Sequence, residues 1–261
     1  MRKSGILAHP TSFPSKYGIG DLGKGAYEFV DFLEKSGQKL WQILPLGQTS
    51  FGDSPYQSFS AFAGNIYIIS PDIFVKKGYL SKKDIEIVPE FDEKNVEYGK
   101  VINYKMSLFR TAFKKFKENK EYLDFCDKNA FWLEDYSLFM SLKNYFIEQR
   151  KNTYESAEYK AYYGANEKKV ELNAIKDCFY GGAWNSFPED IRDRKPKAVE
   201  KYKKLLKSEI DFYKFLQYEF FTQWQELKEY ANEKEIEIIG DIPIFVAEDS
   251  ADVWSNRNLF S

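Results

Sequence analysis

Apolar positions recur along this chain in two alternating periods. Gly5-Ile6-Leu7-Ala8 is a short apolar run that gives way to a Pro/Gly/Ser-rich stretch from Pro10 to Gly23, which predicts a strand followed by a loop. Ala26, Phe29, Val30 and Leu33 then fall at helical spacing, and Gly37 stands where a left-handed C-cap is wanted. Leu40-Trp41-Gln42-Ile43-Leu44 predicts a second strand directly afterwards. Strand, helix and strand with short connections imply a parallel pair with a right-handed crossover, the unit of both α/β barrels and doubly wound sheets.

From about Asn65 to Ser208 the pattern turns helical, with stripes at Leu108, Phe109, Ala112, Phe113 and Phe116 and later at Trp132, Tyr136, Phe139 and Met140. Tyr213, Leu216, Phe220, Trp224, Leu227 and Ala231 then mark one face of a long amphipathic helix. It leads into Ile236-Glu237-Ile238-Ile239-Gly240-Asp241-Ile242, read as a third, buried strand. The organisation is therefore α/β in three parts: first strands and helices over 1–64, a mainly helical insertion over 65–208, and a return to the α/β pattern over 209–261. No internal repeat supports a solenoid. An eight-stranded barrel takes ~250 residues without large insertions. About three strands are visible here, so the chain is expected to stop before such a fold closes.

With 43% hydrophobic and 30% charged residues, 261 positions suffice to bury a core. The net charge is −2, and lysine pairs such as Lys76-Lys77 and Lys203-Lys204 are scattered among acids, so neither nucleic acid nor an anionic membrane is an expected partner. Cys126 and Cys178 offer no metal-knuckle spacing and no disulfide framework, which suits a reducing compartment, the cytoplasm by default. The first residues lack the apolar core of a signal peptide, and no apolar run is long enough to span a bilayer. An aromatic content of 18% fits either core packing or stacking on sugar rings, and packing is the better account of any single ring.

Two stretches carry candidate chemistry. The loop from Pro45 to Asn65 gathers Asp53, Ser54, Gln57 and the rings of Phe51, Tyr56 and Phe59 at the C-terminal end of a parallel strand, where α/β folds place ligands. It suits a polar, hydroxyl-bearing ligand, and equally a structured turn capped by Asp53 and Ser54. Asp241 ends an otherwise apolar strand, so its carboxylate either meets a cation or faces a site. Asp249-Ser250-Ala251-Asp252 reads as the start of a helix. The single histidine, His9, excludes a histidine metal cluster, and no nucleophile elbow supports a Ser-His-Asp triad. His9 is read as a hydrogen-bonded residue near a barrel mouth. Glycine-rich phosphate-binding motifs are absent from the sequence, which argues against nucleotide cofactors.

The segments Gly5 to Pro14, Tyr17 to Gly23, Trp41 to Gly47 and Gly52 to Gln57 resemble the opening segments of amylomaltases, the 4-α-glucanotransferases of glycoside hydrolase family 77, which are related to α-amylases. Trp132 to Tyr136, Trp184 to Arg194, Phe220 to Asn232 and Gly240 to Trp254 match further stretches in order, so the resemblance covers the whole chain. It implies the N-terminal part of a (β/α)8 TIM-type barrel with a large helical insertion, maltooligosaccharides and other α-1,4-glucans as partners, and no cofactor. It also implies a retaining double displacement, in which an aspartate attacks the anomeric carbon, a glutamic acid protonates the leaving oxygen, and a sugar hydroxyl resolves the covalent intermediate.

The family's nucleophile and acid/base match no position up to Ser261 and are expected beyond it. The resemblance carries over a supporting role for Asp241 and glucan contacts for Ser54 and Tyr56, with Asp53 on the same loop. Phe51 stands where some relatives have a tyrosine in a second glucan-contact spot, so ring stacking is kept there without the hydroxyl. The competing expectations are a non-catalytic glucan-binding or remnant protein and a piece of an α-amylase-type hydrolase. An open three-stranded sheet would leave edges unpaired, so poor behaviour of the isolated chain is expected.

Overall fold

The computed structural model describes residues 2–49, 54–155 and 182–260. Three strands, β1 (Gly5–Leu7), β2 (Leu40–Gln42) and β3 (Glu237–Ile239), form a parallel sheet in the order β1-β2-β3. Gly5, Leu40 and Glu237 share one level of the register, and Leu7, Gln42 and Ile239 share another. The strands are shorter than the apolar runs that predicted them. Backbone pairing nevertheless runs one residue further, with Ala8 N donating to Gln42 O and Ile43 N to Ile239 O, each at 3.0 Å. Pro45 then removes a donor two residues later.

Helix α1 (Lys24–Lys35) buries Ala26, Val30 and Leu33. It ends because Gly37 takes a φ of 71°, which lets Gln38 N reach back to Leu33 O at 2.9 Å and satisfy a terminal carbonyl. The other α-helices among the described residues are α2 (Pro71–Lys76), α3 (Tyr98–Phe113), α4 (Lys120–Lys128), α5 (Ala130–Glu155), α6 (Glu189–Arg192), α7 (Pro196–Leu205), α8 (Lys207–Glu233) and α9 (Ala251–Ser255). None of them is long and apolar enough to cross a membrane.

The chain divides into two compact units, Met1–Asn129 with Lys214–Val246, and Ala130–Tyr213 with Ala247–Ser261. In the first unit Trp41 is fully buried and packs against Phe29, Phe13 and Trp224 at ring-centre distances of 5.4, 5.8 and 6.3 Å. A second cluster surrounds Phe215, with Phe116 at 4.7 Å, Phe113 at 5.5 Å and Phe74 at 5.7 Å. Much of the aromatic content is thus core packing, worth about 0.5–1.5 kcal/mol per pair beyond the area buried.

Polar groups are buried there as well. The Gln217 side chain pairs with the backbone of Gly64 in both directions, accepting from its N–H at 2.8 Å and donating to its carbonyl at 2.9 Å. Gln223 accepts from Ser70 N at 2.8 Å, and Glu219 accepts from Lys77 at 2.7 Å. Helix α8 therefore holds the segment that returns from β2 by its main chain. The third strand is not buried throughout, as the sequence suggested. It lies at a sheet edge with Ile239 43% exposed, because among the described residues nothing covers that face.

In the second unit Trp254 is fully buried, near Phe139 at 5.9 Å and Phe187 at 6.5 Å. The Arg194 guanidinium lies 4.4 Å from the Trp254 ring centre and donates to Asp135 at 2.7 Å. Lys143 pairs with Asp249, whose other oxygen accepts from Trp184 N at 3.1 Å. Ser250 caps α9 as the sequence suggested, accepting from Val253 N at 3.2 Å.

Candidate functional site

The site lies where the parallel strands end. In parallel sheets the crevice beyond the carboxyl ends of the strands collects the loops that bind ligands. Here the contributors from the first unit are the loop after β1, the long excursion after β2 and the segment after β3.

The excursion after β2 closes on itself. Antiparallel bridges pair Gly47 with Gly64 and Thr49 with Ser58, and Asn65 N donates to Leu46 O at 2.7 Å. Glycine is needed at both ends of the first bridge. A Cβ on Gly47 would stand 2.9 Å from the Ser58 Cβ, and one on Gly64 would stand 2.0 Å from the Phe220 ring. At the inner end, Gln48 donates to the Tyr67 hydroxyl at 3.2 Å.

Ser54 Oγ accepts from Tyr56 N at 3.3 Å, and Gln57 N donates to Ser54 O at 3.1 Å. Ser54 is thus a turn former, as one of the two sequence readings held, and this turn presents Tyr56. Tyr56 is 38% exposed, and its hydroxyl donates to Asp241 Oδ2 at 2.8 Å, joining the β2 excursion to the end of β3. The bond to the carboxylate raises the tyrosine's pKa, so the phenol keeps its proton. Asp241 is engaged by a hydroxyl, and both side chains remain reachable from solvent. Beyond Asp241, Ile242, Ile244 and Phe245 are 78%, 91% and 65% exposed, an apolar stretch that follows it in the chain.

The structure therefore brings together Tyr56 and Asp241, with Ser54 shaping the turn that carries Tyr56. Phe51 and Asp53 lie outside the described residues. His9 differs from its sequence reading. Its Nδ1 is buried without a hydrogen-bond partner, and burial pushes the ring's pKa down to about 4, so the imidazole is neutral at neutral pH. Its position one residue past the end of pairing was legible; the absence of a partner was not.

Tyr56 and Asp241 offer one protonated phenol and one carboxylate, with exposed apolar side chains following in the chain. That set can hold a neutral polyhydroxylated ligand by hydrogen bonds and ring contacts. Among the described residues no group of His, Cys, Asp or Glu is arranged to hold a metal ion.

Comparison with known proteins gives a consistent result. The family model described as 4-alpha-glucanotransferase matches residues 8–261. The 4-alpha-glucanotransferase of Clostridium butyricum is 49% identical over 255 residues, covering 97% of this chain and 46% of that protein. The 4-alpha-glucanotransferase of Synechocystis sp. is 41% identical over 265 residues, covering 99% of this chain and 46% of its own. Among solved structures, amylomaltase from Streptococcus agalactiae in complex with acarbose matches with a TM-score of 0.82 and 37% identity, over 100% of this chain and 47% of that one. The chain spans about half the length of the curated relatives it matches.

Proposed function

Because this chain belongs to the 4-alpha-glucanotransferase family of glycoside hydrolase family 77, we propose that it forms the glucan-binding part of an enzyme that moves a segment of a 1,4-α-D-glucan to the 4-hydroxyl of an acceptor sugar. The observation that carries this reading is the 2.8 Å hydrogen bond from Tyr56 to Asp241, which joins two loops at the carboxyl end of a parallel sheet. Supporting it, the Streptococcus agalactiae amylomaltase binds acarbose, and this chain is similar to it over its whole length. On this reading Asp241 holds sugar hydroxyls and Tyr56 orients Asp241 while offering a ring face, with Ser54, Asp53 and Phe51 on the loop that lines the groove.

The chemistry assigned to the family is a retaining double displacement by two carboxylates about 5 Å apart. We assign the nucleophile and the acid/base to the half of the relatives' length that this chain does not match. In the same proposal β1 to β3 are strands of a (β/α)8 barrel, residues 65–208 are its insertion, and the protein works in the cytoplasm without a cofactor.

Product analysis tests the reading. Incubated with maltotriose, a protein extending over the relatives' whole length is expected to yield glucose together with longer maltooligosaccharides. Maltose and glucose alone would assign hydrolysis instead. The 261-residue chain by itself is expected to bind maltooligosaccharides without disproportionating them.

A further inference from the structure

Continuing the sheet register two residues past Leu7, Gln42 and Ile239 brings His9, Leu44 and Asp241 to one level. Alternate residues of a strand face the same side, so His9 follows Leu7 onto the face on which Leu7 and Ile239 stand 55% and 43% exposed, and Asp241 is the second residue past Ile239. The backbone of His9 is extended, with φ −83° and ψ 141°, and the ladder reaches Ala8, so the alternation holds up to the ring. Neighbouring strands lie ~4.8 Å apart, which sets positions 9 and 241, separated by β2, roughly 10 Å from each other. Leu44 stands between them at the same level, so a sugar ring reaching both would rest over its side chain.

The imidazole itself is unusual for a structural histidine. Buried polar atoms are nearly always paired, and a histidine that serves the fold commonly gives Nδ1–H to a carbonyl or carboxylate. Here Nδ1 is buried and meets no acceptor. Nothing holds a proton on that nitrogen, so the single proton of the neutral ring belongs on Nε2, the nitrogen not enclosed by the fold.

We propose that His9 is a glucan-binding residue, its Nε2–H donating to a hydroxyl of a sugar ring whose other side meets Asp241; the assignment rests on the glucan reading above. A neutral donor suits a sugar hydroxyl, because it adds no charge beside the carboxylate and needs no counter-ion.

The chain has a single histidine, so selective ¹⁵N-histidine labelling gives one imidazole spin system to follow while maltotetraose is added. Calorimetry on the same samples reports binding independently. The expected result is an Nε2–H tautomer in the free protein and a shift of the Nε2 resonance that saturates with the calorimetric isotherm. His9→Gln, which keeps an N–H donor, should bind within about threefold of the parent, whereas His9→Phe, which keeps the bulk, should bind about five- to tenfold more weakly. Circular dichroism establishes that both variants fold. Calorimetric binding with an unmoved imidazole, or equal affinity of His9→Phe and the parent, overturns the role of His9 and leaves the glucan reading standing. No binding by a parent chain that circular dichroism shows to be folded overturns both.

Discussion

The ammonium of Lys105 lies 3.7 Å from the carboxylate of Asp21, and both side chains are buried. Lys105 also donates to the carbonyls of Tyr67 at 2.8 Å and Ile69 at 3.1 Å, while Asp21 accepts from Gly23 N at 2.8 Å. The pair therefore ties the loop after β1 to the segment that follows the β2 excursion. Burial opposes the charge, pushing the Lys105 pKa down to about 8, and Asp21 only partly offsets this.

Lys105→Met removes the cation and leaves Asp21 buried without compensation. The expected loss is about 3–5 kcal/mol of folding stability, read from urea unfolding. The double variant with Asp21→Asn should recover a substantial part of it, since the orphaned charge is then gone. A single variant within 1 kcal/mol of the parent, on the order of a surface substitution, would show that the pair does not bear on the fold.

His9 gives the chain an acid-side signature. Its pKa is lowered from 6.5 to about 4 in the folded state, so between these values the unfolded chain binds more protons and stability rises with pH. The contribution is fully present above pH 6.5 and is lost as pH falls through about 4. Relative to His9→Phe, the parent should lose about 2–3 kcal/mol over that window, at roughly 1.4 kcal/mol per pKa unit with some solvent screening. Parallel stability curves for the two proteins would contradict the buried neutral ring.

Tyr56→Phe cuts the bond to Asp241 and keeps the ring. Because this bond is exposed, the thermal midpoint should hardly move, while affinity for maltooligosaccharide should fall about three- to tenfold. Asp241→Asn should weaken binding at least as much. Unchanged affinity in both would remove the pair from the glucan site.

Gln217→Leu replaces the amide that pairs with Gly64 in both directions by a side chain of similar size. Two buried main-chain groups lose their partners, and about 2–4 kcal/mol of stability should go with them, measured by denaturant titration. A midpoint shift without a change in the slope would place the effect in the folded state.

Much of the frame was readable from the sequence because its signals are local. The run Leu40 to Leu44, the stripe through Val30 and Leu33, the left-handed Gly37 and the cap Ser250 each depend on neighbours a few residues away. Polar residues in the core escaped the same reading. Gln217, Glu219, Gln223 and Lys105 are fully buried, yet a hydrophobic pattern scores each of them as exposed. Their burial depends on a distant main-chain or charged partner that no periodicity reveals. The candidate site behaved likewise: Tyr56 and Asp241 stood out separately by residue type and position, whereas their contact joins points 185 residues apart. His9 was visible as a strand-end residue, but whether its ring had a partner is a property of packing.

Gln217 and Gln223 grip Gly64 and Ser70 through peptide groups, and peptide groups are the same in every residue except proline. These bonds place no demand on side-chain identity at either position; at 64 the demand for glycine comes from Phe220, whose ring fills the space a Cβ would take. Over evolutionary time the course of the return segment from β2 therefore stays fixed only while the two glutamines and the aromatic ring on α8 are kept. Inheritance of the loop's path resides in the helix that reads it.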